Sequence, residues 1–509
     1  MTTHIIYDTE TTGPNPSFDQ ILQAAAIKTD DDFNEIDTID MRSRLSPHII
    51  PTAGALKVTG IDPNDIARAP HSAHEFACRL HQILETWSDD DEISYDGYNT
   101  IRFDEEILRQ TFWQNLLHPY ITSGRNKTRM DYLNTTRALH ARNPDVIDFP
   151  ISAATGKKNF KLENIAIENG FAEHDAHDAL GDVRATIFMA RLIRDIDPDL
   201  FAHMAQMGNA NIARDFIDNE MIFRLIGGPM LNPGALDMCL IGSEKANPKN
   251  KLAWNLAIDP APYLDLPAEN ILEVMKTRGT PFKTVKANKQ PGVFPMSWGF
   301  LNLVSNDCFS PATPREIDER AEMICQHDAF RHEASRALAL RTESYEAHQH
   351  LEEKIYSGFP SHADKNRMTD FHNETDWTRR LDIVRSFEKP ELRAIGLRVV
   401  FLNAPHALSD TLRSQIDEKI AEERYTLETD RPWTTVGSLM KELDSMQAED
   451  PDNPALATIR TWALASYPTA RSWTAGETRP DEAAPACDSG KETVGTIVDT
   501  ATSYLDGLD

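Results

Sequence analysis

The chain opens on an apolar run, His4-Ile5-Ile6-Tyr7, which passes into Asp8-Thr9-Glu10 and ends in a Thr-Thr-Gly turn. Strand geometry would point the Asp8 and Glu10 side chains to one side, because alternate residues of a strand share a face. Gln20 to Lys28 and Met41 to Leu45 read as further strands, with Asp30-Asp31-Asp32 and Asn34 between them as turn material. A three-stranded antiparallel start follows. Between Pro63 and Trp87 the residues Phe76, Leu80, Ile83 and Leu84 fall on one helical face, and Ile93 to Tyr98 reads as a short strand. Asp104 then stands at the head of a helix holding Ile107, Leu108 and Phe112. A late helix carries Val183, Ile187, Ala190 and Ile193 toward a core. It is entered through His174-Asp175-Ala176-His177-Asp178, with Asp182 expected on its second turn. Residues 1–200 therefore read as an α/β domain.

The pattern changes after residue 200. Proline and glycine rise between Gly227 and Gly299, with short apolar runs at Met221 to Ile226, Asp237 to Ile241, Ala253 to Ile258 and Gly292 to Met296. Such spacing predicts a small β-barrel over 201–347, interrupted by one helix from Glu269 to Arg278 that Gly279 stops. Over 351–470 apolar residues recur at three-to-four spacing, in Trp377 to Phe387, Pro390 to Asn403, Asp410 to Leu427, Val436 to Glu449 and Pro454 to Ser466. A helical bundle is expected there, with Trp433 and Trp462 in its core. The remaining stretch, 471–509, holds eight acids against three bases and is expected to be disordered, with a short helix possible from Val494 to Leu505.

Charge narrows the partners. A formal charge of −28 on 509 residues argues against wholesale adhesion to nucleic acid but leaves room for a local basic channel. Basic clusters do occur: Thr277 to Gln290 carries Arg278, Lys283, Lys286 and Lys289 without an acid; Lys245, Lys249 and Lys251 form a second; Arg125, Lys127 and Arg129, with Lys157 and Lys158, form others. Each alone can be a solvated face. Five scattered cysteines without a C-x-x-C pair suggest neither a disulfide framework nor a zinc site. No basic leader followed by an apolar core opens the chain, and no stretch approaches the roughly 18 apolar residues of a membrane span. A cytoplasmic protein without membrane contact is expected.

Two carboxylates as close as Asp8 and Glu10 repel each other and call for a cation, and their hard oxygens suit Mg²⁺ or Mn²⁺. Taken singly each candidate has a plainer explanation. The Asp8-Glu10 pair could be a solvated strand end; Asp104 could serve a helix dipole; Asp175 or Asp178 could cap the late helix beside an ordinary surface His177.

Together they form a pattern. Acids on an opening strand, an aspartate in Asn99-Thr100-Ile101-Arg102-Phe103-Asp104, and His177 with Asp182 on the late helix resemble, in this order, the DEDD 3′-to-5′ exonucleases of the histidine subtype. The resemblance extends to the bacterial exonuclease I family through YDTETTG from Tyr7, PTAGALKVTGI from Pro51, GYNTIRFDEEILR from Gly97, NFKLENIAIENG from Asn159, AHDALGDVRATIFMARLI from Ala176 and IYSGFPSHADKNRM from Ile355. It implies an RNase H-like exonuclease domain with a mixed sheet, an SH3-like barrel and an all-α C-terminal domain. By the same resemblance Asp8, Glu10 and Asp182 are metal ligands, Asp104 completes the catalytic acids, and His177 is the general base. Two Mg²⁺ ions, replaceable by Mn²⁺, are the implied cofactors; such a pair can stabilise the attacking and leaving oxygens of a phosphodiester together. Glu10 and Lys161 are candidate substrate contacts, although the family more often has arginine where Lys161 stands. The implied activity is 3′-to-5′ hydrolysis of single-stranded DNA to 5′-mononucleotides in repair and recombination. The implied protein partner of a monomeric enzyme is the single-stranded DNA-binding protein. A DNA channel is expected along the Thr277 to Gln290 segment, with Lys283, Lys286 and Lys289, and the Lys245 to Lys251 cluster, closed by the loop from Tyr356 to Lys365. The rival readings are a proofreading or RNA-trimming nuclease of the same superfamily and a catalytically idle nucleic-acid-binding protein.

Overall fold

A computed structural model of the chain describes residues 2–90, 92–152, 156–172, 178–227, 233–301, 312–343 and 348–474. The opening strand β1 (Thr3–Thr11) lies at the middle of a five-stranded mixed sheet ordered β3-β2-β1-β4-β5. Its antiparallel side is β2 (Ile21–Thr29) and β3 (Glu35–Arg42); its parallel side is β4 (Ile93–Gly97) and β5 (Lys127–Asp131). The third strand starts earlier than Met41, because Asp30 accepts hydrogen bonds from the Asp32 and Asn34 amides and closes a tighter turn. β5 was not expected at all. Lys127, Arg129 and Asp131 hide the strand signal, leaving Met130 as the one apolar residue of the five.

Period two along β1 sorts the helices into two layers. Ile5 and Tyr7 face α3 (Ala73–Trp87) and α4 (Asp104–Trp113), whereas Ile6 faces α5 (Tyr132–Arg142), α6 (Leu162–Glu168) and α7 (Ala179–Ile196). Ahead of α3 the chain forms two short helices, α1 (Ala53–Thr59) and α2 (Pro63–Ile66). The single helix expected from Pro63 to Trp87 is thus broken. Pro70 cannot continue a helix, and Ser72 restarts it through a capping box with Glu75.

Helices α8 (Pro198–Met207) and α9 (Ala210–Asn219) lead into a second, antiparallel sheet ordered β10-β6-β7-β8-β9. Its strands are β6 (Ile222–Gly227), β7 (Gly234–Ser243), β8 (Asn250–Asn255), β9 (Phe282–Lys286) and β10 (Val293–Pro295). The helix α10 (Ala268–Lys276) is inserted before β9, and a 3₁₀ turn, Ala287–Lys289, precedes β10. This five-stranded antiparallel sheet stands where the SH3-like barrel was expected, with β10 and β9 as its two edges. β9 occupies the middle of the basic segment that had been read as channel material, so Lys283 and Lys286 stand on an edge strand. Phe294, with Trp298 and Phe300, packs into the core of the first sheet, so the two units share apolar interior. Two helices, α11 (Pro314–Cys325) and α12 (Asp328–Glu343), close the barrel's other side.

The C-terminal region is all helix and embraces the first domain from two sides. Helices α13 (His362–Asn373), α14 (Trp377–Ser386), α15 (Pro390–Asn403) and α16 (Asp410–Arg424) close over Trp113 and Leu116 at the end of α4. By contrast, α17 (Val436–Glu449), α18 (Pro454–Ser466) and α19 (Pro468–Thr474) close over Leu56 of α1 and Ile66 of α2. Trp433 is buried, donates to the Glu423 carbonyl at 2.8 Å and lies under the Arg424 guanidinium. Residues 475–509, with the expected disorder and the short helix, lie outside the described residues. None of the described helices is long and apolar enough to cross a membrane.

Candidate active site

The site gathers where β1 ends. Asp8 and Glu10 project from one face of the strand, opposite Ala25 and Gln23 of β2. Helix α7 packs on that face through Val183 and Ile187 and brings Asp182 in its first turn, not its second. One oxygen from each of Asp8, Glu10 and Asp182 lies within 4.8 Å of the other two. A fourth acid comes from the opposite layer. The Asp104 Oδ1 accepts from the Thr9 amide at 3.2 Å and the Thr9 hydroxyl at 2.6 Å, so the residue between the two strand acids clamps the head of α4. The loop before α4 is shaped for this. Asn99 takes a left-handed φ of 66°, and its amide donates to Asp131 at the end of β5. Gly97 admits the Thr100 side chain so closely that an added Cβ would lie 2.1 Å from it.

Electrostatically the cluster is unbalanced. Burial, followed by repulsion from Asp104, Glu10 and Asp182, pushes the Asp8 carboxyl well above its usual range. Glu10 rises to about 8 through burial and then Asp182, Asp104 and Asp178. Asp182 rises to about 7 through burial and then Glu163, Asp178 and Asp104. Asp104 rises only to about 6, because the burial that lifts it is opposed by its hydrogen bonds from Thr9. Hard oxygens this close, raised by one another, are a donor set that fits divalent cations of the Mg²⁺ class.

Several neighbours were not anticipated. Asp178 stands at the N-cap of α7 but makes no capping bond; its Oδ1 instead takes Gln23 Nε2 at 2.9 Å and Arg42 at 3.4 Å. Glu163, from α6, adds charge beside Asp182 and pairs with Lys161 at 3.2 Å. Lys161 is exposed at the head of that helix. Thr9 and Glu163 carried no signal: one reads as strand filler, the other as a surface helix acid. His177 lies outside the described residues.

The expected channel residues divide. Lys286 and Lys365 are exposed and Lys283 is half-buried. Tyr356 is half-exposed and donates its hydroxyl to Glu106, two residues beyond Asp104. Near it Phe359 is 77 % exposed and meets Tyr120 edge-on at 5.8 Å, an aromatic surface that the sequence did not disclose. Lys289 departs from expectation. Its ammonium donates to the Ile101 carbonyl at 2.7 Å and lies 4.0 Å from the buried Glu105, tying the barrel to α4. Of the other clusters, Lys251 is buried on Asp218, Arg129 pairs with Glu105 at 2.6 Å, and Lys127 donates to the Ile121 carbonyl. These cations hold the protein together.

Comparison with known proteins defines first a class: residues 5–189, which carry the whole acid cluster, match the family described as Exonuclease. Exodeoxyribonuclease I of Haemophilus influenzae is 30% identical over 387 residues, 71% of this chain and 78% of that protein. The Escherichia coli enzyme of the same name is 28% identical over 391 residues, 72% and 78% of the two chains. The chain belongs to the exodeoxyribonuclease I family. In fold it is similar to E. coli exonuclease I in complex with a dA16 oligonucleotide, with a TM-score of 0.79 at 22% identity over 91% of this chain and 99% of that one. Exonuclease I from Methylocaldum szegediense gives a TM-score of 0.77 at 23% identity over 91% and 99%.

Proposed function

We propose that this protein is a metal-dependent exonuclease that removes 5′-mononucleotides from the 3′ end of single-stranded DNA, in repair and recombination. The observation that carries the reading is the convergence of Asp8, Glu10 and Asp182 within 4.8 Å on a matched exonuclease domain. Relatives named exodeoxyribonuclease I, and structural neighbours described in complex with dA16 and dT13, supply the substrate class.

In this reading Asp8, Glu10 and Asp182 hold two Mg²⁺ ions, for which Mn²⁺ can substitute. When bound, the ions would supply charge stabilisation to the attacking and leaving oxygens of the scissile phosphodiester. Thr9 fixes the Asp104 carboxylate so that it faces the same space at no cost in side-chain freedom at the moment of reaction. His177, one residue before the α7 N-cap, takes the proton of the attacking water. Glu10 also touches the terminal nucleotide. Lys161, exposed at the head of α6 beside its partner Glu163, meets a phosphate as a point charge without the bidentate fork of an arginine. Lys283 and Lys286 on the β9 edge and Lys365 line the approach of the strand, and Tyr356 with Phe359 offers aromatic faces for bases.

The units 1–200, 201–347 and 351–470 serve as nuclease, barrel and enclosing helical domain, with 471–509 as an acidic tail. We assign the protein to the cytoplasm, as a monomer recruited by the single-stranded DNA-binding protein. A proofreading or RNA-trimming role fits less well, since hydrolysis alone needs little beyond the first domain, whereas here two further domains pack on it. The deciding experiment offers end-labelled single-stranded DNA, duplex DNA and RNA to the full chain with and without Mg²⁺. Mononucleotides released from the 3′ end of single-stranded DNA, only with metal, are expected. Equal or faster digestion of RNA would overturn the substrate assignment.

A further inference from the structure

A second cluster of metal-ligating side chains lies away from the acids, where the nuclease domain meets the C-terminal helices. His74 and Cys78 stand four residues apart on one face of α3, and His372 reaches them from the last turn of α13. One donor atom from each lies within 4.8 Å of the other two. The Cys78 Sγ is 3.7 Å from His74 Nε2 and 3.7 Å from His372 Nδ1. Zinc bonds of about 2.3 Å to sulfur and 2.0–2.1 Å to nitrogen, at tetrahedral angles, separate sulfur from nitrogen by about 3.6 Å. The spacing is that of a shared ligand shell.

The hydrogen bonds around the two imidazoles point the same way. His74 Nδ1 lies 3.0 Å from the Asn115 Oδ1, whose amide is oriented by donating its Nδ2 to the Thr111 carbonyl. His372 Nε2 lies 3.1 Å from the Leu116 carbonyl oxygen. Neither oxygen can donate, so each ring places its N–H there and leaves its other nitrogen, Nε2 of His74 and Nδ1 of His372, unprotonated. Both of these nitrogens lie 3.7 Å from the one sulfur, which sits beside the His74 ring, 4.0 Å from its Nδ1 as well. A thiol proton can satisfy only one of them, whereas a cation satisfies both and the thiolate as well. An N–H committed to a carbonyl or amide oxygen is also the usual outer support of a metal-bound histidine.

We propose that His74, Cys78 and His372 form a zinc site that clasps α3 of the nuclease domain to α13 of the C-terminal domain. Two imidazoles and a thiolate are soft to borderline donors, so the site prefers Zn²⁺ or Co²⁺ to the Mg²⁺ that suits the carboxylate cluster. Binding converts the Cys78 thiol to a thiolate and releases its proton to solvent. Three protein ligands leave one tetrahedral position for water. Clefts lined by His74 with Asn403 on one side, and by His372 with Thr369 on the other, give access. The ring planes of His74 and His372 lie 19° apart at 5.8 Å, with Phe371 and Trp377 packed around them. Such a site would fix the angle at which the helical domain encloses the nuclease.

Chelator-stripped full-length protein, held in excess Mg²⁺ to occupy the carboxylates, is titrated with Co²⁺ and read for the thiolate-to-cobalt charge-transfer band. One equivalent should raise the band. It should vanish in Cys78→Ser and weaken strongly in His372→Gln, while Cys239→Ser, a buried cysteine elsewhere, keeps it. Asn115→Ala, which removes the support of His74, should lower Co²⁺ affinity by about 10–100-fold. Thermal melts in Zn²⁺ give a second readout: wild type gains stability and Cys78→Ser does not, with Mg²⁺-dependent exonuclease activity intact in both. If Cys78→Ser does not fold, His372→Gln reads the same band. Absence of the band in wild type, or its persistence in both ligand variants, would reduce the cluster to a thiol packed between two histidines and overturn the proposal.

Discussion

Asp104 and Glu105 are adjacent in sequence and both buried at the head of α4, yet they belong to opposite electrostatic worlds. Asp104 faces Asp8, Glu10 and Asp182, a set of acids whose carboxyls are all raised first by burial, with Asp104 adding its repulsion to each of the other three. Glu105 turns the other way and meets Arg109 at 2.5 Å, Arg129 at 2.6 Å, the Thr122 hydroxyl at 3.0 Å and Lys289 at 4.0 Å. Burial pushes the Glu105 carboxyl up, but Arg109, Arg129 and Lys289 outweigh it and hold it below its ordinary value. One group of carboxylates is neutralised by the protein; the other is left for something the protein must bind. Balanced charge marks architecture, here the seam between α4, β5 and the barrel. Unbalanced charge marks the reaction.

Substitution in the unbalanced group should have the largest effect. Asp8→Asn or Asp182→Asn is expected to slow hydrolysis by more than about 10³-fold, because each removes charge from the shell that neutralises the transition state. The folded state should survive, and a gel assay on end-labelled single strands reads both variants. His177→Ala should cost about 10²–10⁴-fold, the worth of a positioned base. In the balanced group the loss should be of stability instead. Arg129→Ala removes one of the cations on buried Glu105, leaving Arg109 and Lys289, and is expected to destabilise the chain by about 1–3 kcal/mol in denaturant unfolding. A fall in activity with unchanged stability would place Arg129 in the site, not the seam.

The comparison also has a pH signature. Glu10, Asp182 and Asp104 have folded-state values near 8, 7 and 6, above those of an unfolded chain, so the metal-free fold holds more protons than the unfolded chain across this range. Stability that is full below the unfolded values is therefore lost as pH rises through the folded ones. The melting temperature of metal-free protein should fall between about pH 5 and about pH 8, and saturating Mg²⁺ should remove the fall. Melting curves that rise over the same window would contradict the sign. The smallest effects belong to the barrel edge. Lys283→Ala and Lys286→Ala should each leave stability within about 0.5 kcal/mol yet reduce the log-log salt slope of single-strand binding by about 0.7 per lost phosphate contact. Lys289→Ala should instead lower stability, since its ammonium ties Ile101.

What the sequence disclosed follows from how each feature is encoded. Asp8 and Glu10 were legible because period two on an apolar strand fixes their direction, and Asp182 because an apolar helical stripe surrounds it. Thr9 was not legible, since its task depends on where α4 begins in space. Two strands were missed for one reason: β5 and β9 are edge strands, and edges carry lysine and arginine where central strands carry apolar residues. The same residues then suggested a DNA surface. Arg129, partly buried, and Lys251, buried, turned out to be partners of Glu105 and Asp218, a fate set by tertiary neighbours that composition does not reveal. The histidine-cysteine cluster was equally hidden, because residues 78 and 372 are far apart in the chain and carry no C-x-x-C spacing.

The central claim is that the acids at the end of β1 are incomplete without divalent cations. Equilibrium Mn²⁺ binding by the full chain, followed through the spin resonance of the free ion, tests it most directly. Wild-type protein should take up two ions, and Asp8→Asn should lose uptake at one or both positions while Arg129→Lys, in the balanced cluster, keeps it. Wild-type stoichiometry and affinity in Asp8→Asn would show that the cations bind elsewhere and would contradict the account.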